Sequence, residues 1–119
     1  MVYAAYDPAL HRQVALKLLR ARWSASGEAT ARLLREGWAM ARLRHPNIAQ
    51  IHDLGVEAGR VYLVMDLLTG GDLRRWIRPG GRPAAEVLAA LLPIAAALGA
   101  MHRAGLLHRD VKPENILRV

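Results

Sequence analysis

The alternation of apolar and polar positions divides the chain into a strand-rich first half and a helical second half. Short runs of β-branched and aromatic residues between turn residues predict four strands, at Val2–Tyr6, Gln13–Leu19, Ile48–Leu54 and Arg60–Asp66. Apolar positions that recur every three or four residues predict two long helices, at Glu28–Arg44 and Pro83–Arg103. A few strands with one helix, followed mostly by helix, are typical of an α+β fold with two lobes that meet near residues 67–71.

Turn and capping residues mark where these elements begin and end. Ser24-Ala25-Ser26-Gly27 reads as a loop with capping residues before the first helix. Asp72, after Thr69-Gly70-Gly71, is predicted to cap a further helix. Residues 78–82 read as a loop, and Gly105 is predicted to close the helix that ends at Arg103. The final residues, from Leu106 to Val119, are predicted to form a loop that runs into a last strand.

The composition is that of one globular domain, with 53% hydrophobic and 23% charged residues over 119 positions. The chain has no cysteine, which excludes disulfides and thiolate metal sites. Its formal net charge of +7 raises the question of a nucleic-acid partner. The arginines are scattered, however, and no aromatic residue is interleaved with a basic cluster, so we expect no nucleic-acid binding.

The longest uncharged apolar run, Val87 to Met101, is shorter than a membrane span and contains Pro93. We therefore expect a core helix and no membrane span. The first residues lack a basic segment followed by a long apolar stretch, so they do not form a signal peptide. Together with the absence of cysteine, this favours a cytoplasmic protein.

Lys17 is the single charge in the apolar segment Val14–Leu19. In a strand, alternate residues share a face, and both faces of this segment are otherwise apolar. Burying an ammonium group is costly unless it has a partner. The alternative is an edge lysine whose long side chain reaches water.

Glu36 is the single charge on an apolar stripe of the first predicted helix. The other members of the stripe, at three- and four-residue steps, are Ala29, Leu33, Met40 and Leu43. A buried carboxylate also needs a cation. The sequence therefore predicts that Glu36 pairs with Lys17, although two unrelated surface charges would give the same pattern.

The segment His108–Leu117 holds three residues whose spacing suits phosphoryl transfer to a hydroxyl group. That reaction needs a carboxylate that orients the hydroxyl and accepts its proton, a cation beside the moving phosphate, and an oxygen ligand for Mg²⁺. Asp110, Lys112 and Asn115 supply one each. Of the 17 lysine and arginine residues, only Lys17 and Lys112 are lysine, and both fall where a compact ammonium would meet a phosphate.

These segments together resemble the eukaryotic-type protein kinases, in the serine/threonine branch that is common in bacteria. The resemblance covers essentially the whole chain, and the segments that carry it occur in the family's order. They are Val14-Ala15-Leu16-Lys17, Glu36, His45-Pro46-Asn47-Ile48, the strand and hinge from Val61 to Leu68, Gly70-Gly71-Asp72-Leu73, and the run from His108 to Leu117. The resemblance implies a protein-kinase-like α+β fold, truncated at both ends, with a small antiparallel-sheet lobe and hinge in residues 1–68. Residues 69–119 would form the first helices of the helical lobe, through the catalytic loop.

The resemblance also implies the cofactors ATP and Mg²⁺ and a protein substrate that presents a Ser or Thr hydroxyl. Asp110 would be the catalytic base, Lys112 would steady the γ-phosphate, Asn115 would bind Mg²⁺, and Lys17, paired with Glu36, would hold the α- and β-phosphates. The remaining expected contacts to the nucleotide are Val2, Ala15 and Leu117 around the adenine ring, Met65 as gatekeeper, the backbones of Asp66 and Leu68 at the adenine edge, and Asp72 near the ribose.

Two parts of the family pattern are absent from these 119 residues. The glycine-rich phosphate loop would precede Val2, and an Asp-Phe-Gly segment, whose aspartate is the main Mg²⁺ ligand, would follow Val119. We therefore expect negligible kinase activity from this polypeptide alone, and an exposed apolar surface on the helix Pro83–Arg103. The chain would be a piece of an active kinase or, alternatively, a pseudokinase-like binding or scaffold module. Because the chemical residues are intact, the first interpretation is favoured.

Overall fold

The computed structural model describes residues 2–19, 27–77 and 80–119. The predicted loop residues Ser24, Ala25 and Ser26 and the loop residue Arg78 lie outside these ranges. The elements in chain order are β1 Val2–Asp7, β2 Arg12–Leu18, α1 Gly27–Arg42, β3 Ile51–Glu57, β4 Arg60–Asp66, α2 Leu73–Ile77, α3 Ala84–Arg103 and a 3₁₀ turn, Pro113–Asn115.

The chain divides into two compact units. The first unit contains Met1–Arg44 and Ala49–Leu67, and the second contains His45–Ile48 and Leu68–Val119. The predicted ranges 1–68 and 69–119 were contiguous, whereas the second unit also includes a short segment from the middle of the first half. That segment is a turn, in which the Ile48 N–H donates to the His45 carbonyl at 3.1 Å.

The first unit is built on a four-stranded antiparallel sheet with strand order β1-β2-β4-β3. Its core consists of the buried residues Val14, Ala15, Leu54 and Val61. The four strands were predicted, and β4 has the predicted bounds. The prediction for β3 was displaced, because the turn at His45–Ile48 delays the start of this strand to Ile51.

The β3–β4 hairpin closes on two residues that both have positive φ, Ala58 at 50° and Gly59 at 75°. This is the conformation that matches the right-handed twist of two antiparallel strands joined by a short loop. Glycine adopts it freely, but alanine does so at a steric cost because it carries a Cβ atom.

Replacing Ala58 by asparagine is therefore expected to stabilise the protein by about 0.5 kcal/mol, since asparagine tolerates positive φ and Asn-Gly suits this turn. Urea unfolding followed by circular dichroism measures the change. Valine at the same position is the matched control and is expected to destabilise, because a β-branched side chain fits positive φ poorly. Equal midpoints for the two variants would contradict this account of the turn.

Helix α1 packs against β3 and β4. Gly37 faces the sheet at the contact, where a Cβ atom on this residue would lie 3.1 Å from Leu54 Cδ1 and 3.7 Å from Leu63 Cδ2. The missing side chain lets the helix approach the two leucines closely. No residue of α1 is buried, so the helix covers the sheet without being enclosed.

The second unit begins with α2, whose first turn is capped as predicted. The Asp72 carboxylate accepts a hydrogen bond from the Arg75 N–H at 2.8 Å, which satisfies one of the unpaired donors of the helix start. Helix α3 ends where Gly105 takes a φ of 76°. The Gly105 N–H donates to the His102 carbonyl at 3.0 Å and the Leu106 N–H to the Met101 carbonyl at 2.9 Å, which is the Schellman pattern.

Helix α3 carries an exposed apolar surface, as predicted. Only Ala97 and Met101 are buried, whereas Leu88 and Leu92 are 62% and 69% exposed. Within the described residues, this helix is long and apolar enough to cross a membrane by length and composition, with a mean hydropathy of 1.9. Core helices of soluble proteins meet the same criterion, so the expected absence of a membrane span stays a prediction.

Candidate active site

The sheet brings together four of the residues that are predicted to contact the nucleotide. Ala15 and Lys17 lie two positions apart on β2 and therefore share a face. Val2 is the cross-strand partner of Lys17, and Met65 is the partner of Ala15. Because directly opposed residues of antiparallel strands project to the same side, all four lie on one face of the sheet.

Helix α1, which carries Glu36, lies on that same face. Leu63 is the cross-strand partner of Lys17, and it is also the residue that Gly37 approaches. The fold thus places Lys17 and Glu36 on facing elements within one unit.

The predicted ion pair between Lys17 and Glu36 is not formed in this structure. The Glu36 carboxylate lies 3.4 Å from the Arg32 guanidinium, one helical turn earlier. Among the described residues, no ion pair within 4.0 Å joins Glu36 to Lys17. The physical reason is solvation. The prediction assumed a buried carboxylate, but the Glu36 side chain is 43% exposed, so water and a neighbour on the same helix stabilise its charge.

Asp66 ends β4, and its side chain is bound to the start of β3. Its carboxylate accepts from the Gln50 N–H at 3.0 Å and lies 2.7 Å from His52 Nε2. The Asp66 N–H in turn donates to the Gln50 carbonyl at 3.0 Å. These contacts fix the residue whose backbone is predicted to meet the adenine edge.

The second unit brings Asp110, Lys112 and Asn115 together. The Asn115 amide nitrogen donates to the Asp110 carbonyl at 2.9 Å and to its carboxylate oxygen Oδ2 at 3.0 Å. The Lys112 ammonium lies 3.4 Å from the same Oδ2 atom. All three residues are exposed, so a carboxylate, an ammonium and an amide converge at a point that a substrate can reach.

The backbone around this cluster is held in an uncommon conformation. Arg109 has a φ of 66°, which is rare for a residue with a side chain and marks a constrained site. The Asp110 N–H donates to His108 Nδ1 at 3.2 Å, and the 3₁₀ turn closes with a 2.9 Å bond from the Asn115 N–H to the Lys112 carbonyl. These local bonds set the direction of the Asp110 side chain.

The remaining predicted residues of the second unit lie where the start of α2 meets the end of the chain. Asp72 and Leu117 form an antiparallel bridge. It is flanked by hydrogen bonds from the Leu73 N–H to the Ile116 carbonyl and from the Arg118 N–H to the Gly71 carbonyl, both at 2.8 Å. The bridge places Asp72 beside Leu117. Leu68, at the beginning of this unit, is half-buried.

A sequence model of the protein kinase domain matches residues 1–119. The chain belongs to the protein kinase domain family. PknF, a serine/threonine-protein kinase of Mycobacterium tuberculosis, is 47% identical over 119 residues, which are 98% of this chain and 25% of PknF. PkaA, a serine/threonine-protein kinase of Streptomyces coelicolor, is 46% identical over 106 residues, which are 87% of this chain and 19% of PkaA.

The crystal structure of the M. tuberculosis PknI kinase domain matches with a TM-score of 0.84 and 38% identity, over 98% of this chain and 48% of that one. The family, the bacterial serine/threonine branch and the kinase-like α+β fold predicted from the sequence are therefore confirmed. The chain spans about a quarter of the curated relatives it matches and about half of this kinase domain.

Sequence reasoning missed two ion-pair partners, one of the candidate residue Glu36 and one of Glu114, which lies next to the candidate residue Asn115. One is Arg32, which the four-residue spacing to Glu36 would have indicated had the pair with Lys17 not been preferred. The other is Arg74, whose guanidinium lies 2.8 Å from Glu114 and ties the 3₁₀ turn to α2. These two residues are separated by 40 in sequence number, so no local pattern indicated the pair.

The donor set of the kinase loop fits magnesium. With its nitrogen bonded to Asp110, the Asn115 amide can present its oxygen, and the Asp110 carboxylate lies next to it. Mg²⁺ favours oxygen donors and takes only one or two from a protein, completing its shell with phosphates and water. Within the described residues no group of three or more His, Asp or Glu side chains could hold a metal. Asn115, next to the Asp110 carboxylate, is the residue that would contribute an oxygen to the ion, together with phosphate oxygens.

Proposed function

We propose that residues 1–119 are part of a serine/threonine protein kinase that transfers the γ-phosphate of ATP to Ser or Thr hydroxyls of proteins. The observation that carries the proposal is the convergence of Lys112 and Asn115 on the Oδ2 atom of Asp110. The kinase names of PknF and PkaA support the same assignment.

Each residue of the loop has a distinct part in the proposed reaction. The Asp110 carboxylate, oriented by the Asn115 amide, accepts the proton of the substrate hydroxyl as that oxygen bonds to the γ-phosphorus of ATP, while the bond from that phosphorus to the oxygen of the leaving ADP breaks. Lys112 places a positive charge beside the phosphate that is transferred. Asn115 would hold Mg²⁺, which when bound would neutralise charge at the phosphates.

In the first unit, the proposed nucleotide face carries Lys17 for the α- and β-phosphates, and Val2, Ala15 and Met65 near adenine. Their common sheet face supports these roles. The backbones of Asp66 and Leu68 would bind the adenine edge, Leu117 would contact the adenine ring, and Asp72 would lie near the ribose. Because the paired lysine and glutamate are required for kinase catalysis, we propose that Glu36 leaves Arg32 and pairs with Lys17 when nucleotide binds.

We further propose that these 119 residues are inactive alone, contain no membrane span and bind no nucleic acid, and that they are cytoplasmic. The sequence contains no phenylalanine, so it has no Asp-Phe-Gly segment and lacks that segment's magnesium ligand. Losing such a stabilising element typically costs a kinase several orders of magnitude in rate.

The test compares the isolated chain with a chimera in which residues 1–119 replace the matching segment of PknF. Transfer of labelled γ-phosphate to a mixed protein substrate is measured, followed by identification of the labelled amino acid. We expect label on serine or threonine from the chimera only. A folded chimera that transfers nothing would indicate a scaffold rather than a kinase, and label transferred by the isolated chain would overturn the proposed inactivity.

A further inference from the structure

A hollow of about 650 Å³ opens in the first unit where α1 ends and β3 begins. Three arginines line it, Arg12 from the start of β2 and Arg42 and Arg44 from the end of α1 and the residues after it. Trp38, which is 46% exposed, forms part of the wall. None of these residues belongs to the proposed nucleotide site.

The three guanidinium groups are not neutralised by the rest of the unit. None of them takes part in an ion pair with any residue that the structure describes. Among the residues that the structure describes, no carboxylate lines the hollow. The Nε atom of Arg12 is buried and has no hydrogen-bond partner among the described residues. A buried donor of a charged group that lacks an acceptor is unfavourable.

The other polar side chains that line the hollow already have partners within the first unit. The Gln50 side-chain amide donates to the carbonyls of Ala41 and Ile51, both at 2.9 Å. His52 contacts the Asp66 carboxylate at 2.7 Å. Stabilisation of the helix C-terminus accounts for Arg42 in the last turn of α1. It does not account for Arg12, which belongs to a strand, or for Arg44, which follows the end of the helix.

We propose that this hollow binds a phosphate monoester. The planar guanidinium group pairs two N–H donors with two oxygens of a phosphate, and clusters of arginines are a common way to bind phosphorylated ligands. The hollow is larger than a phosphate group, and the Trp38 ring offers an apolar surface to the remainder of the ligand. The phosphate can belong to a small molecule or to a phosphorylated side chain, and the experiment distinguishes the two sources.

The experiment titrates the isotope-labelled 119-residue chain with inorganic phosphate, with a phosphothreonine peptide and with the same peptide unphosphorylated. Nuclear magnetic resonance follows the Arg12 Nε–H and Trp38 indole N–H signals. We expect saturable shifts of these signals with inorganic phosphate and with the phosphothreonine peptide. We expect no shift with the unphosphorylated peptide. Tighter binding of the phosphopeptide than of inorganic phosphate would assign the site to phosphorylated side chains, and equal binding would assign it to free phosphate compounds.

Variants that each remove one positive charge distinguish a specific phosphate site from a general attraction of anions to the basic chain. Arg12→Gln and Arg44→Gln are each expected to weaken binding about tenfold or more, because each removes a charged donor to the phosphate. Arg35→Gln removes the same charge from an exposed position of α1 outside the hollow and should leave binding unchanged within about twofold. Arg44 is exposed, so its variant keeps the test decisive if Arg12→Gln disturbs folding. Equal weakening by all three variants, or no saturation, would overturn the proposal.

Discussion

Replacing Asp110 by asparagine in the chimera with PknF is expected to lower kcat about 10²- to 10⁴-fold, the usual contribution of a general base. Asparagine keeps the shape of the side chain but cannot accept the proton of the substrate hydroxyl. It also removes the negative charge at the Oδ2 atom where Lys112 and Asn115 meet. Initial rates of phosphate transfer at saturating ATP and protein substrate measure the effect.

A control for this result is Glu86→Gln, which neutralises an exposed carboxylate in the first turn of α3, outside the catalytic loop. The Glu86 carboxylate lies 3.2 Å from the Arg82 guanidinium, and exposed ion pairs of this kind contribute little to stability. We expect the control chimera to retain nearly all of its activity. If the two variants had similar rates, with folded structure retained in both, Asp110 would not be the base.

Replacing Gly70 by alanine is expected to destabilise the second unit by about 3 kcal/mol or more. A Cβ atom at this position would overlap the carbonyl oxygen of Arg118 and lie 2.6 Å from its carbonyl carbon. Both atoms belong to the backbone, so the clash cannot be relieved by turning a side chain. The strand-like bridge between Asp72 and Leu117 would have to separate.

Hydrogen exchange at the Leu73 and Arg118 amides measures this loss directly, because both N–H groups bond across the bridge. Gly71→Ala is the matched control. A Cβ atom at Gly71 would have no other atom within 4 Å, so it would not clash. Only the positive φ of 79° disfavours a side chain there, and we expect the free energy of unfolding to fall by about 1 kcal/mol. Equal protection in the two variants would contradict the proposed close approach of the backbones.

Local patterns predicted most of the elements and the grouping of Asp110, Lys112 and Asn115. The bounds of β4 were correct, and the helices begin and end within two residues of the prediction, because capping and turn residues act on their immediate neighbours. Asp110, Lys112 and Asn115 lie within six positions of one another. A short turn therefore brings them together, and their spacing alone was enough to group them.

Contacts between distant positions could not be predicted in the same way. Lys17 and Glu36 lie on the same side of the sheet, as their charges suggested, but the choice of partner depended on how deeply the carboxylate is buried. Burial is a property of the folded unit, and the sequence pattern overestimated it. The arginine-lined hollow was also missed, since Arg12 is separated by about 30 positions from the arginines that end α1.

We propose that Lys17, Glu36, Asp110 and Asn115 act on one bound nucleotide. A crystal structure of the chimera with Mg²⁺ and a non-hydrolysable ATP analogue tests it most directly. We expect the Lys17 ammonium to contact the α- and β-phosphates and to lie within about 4 Å of the Glu36 carboxylate, and we expect Asn115 to bind the ion. A bound analogue that Lys17 does not touch, with Glu36 still paired to Arg32, would contradict it.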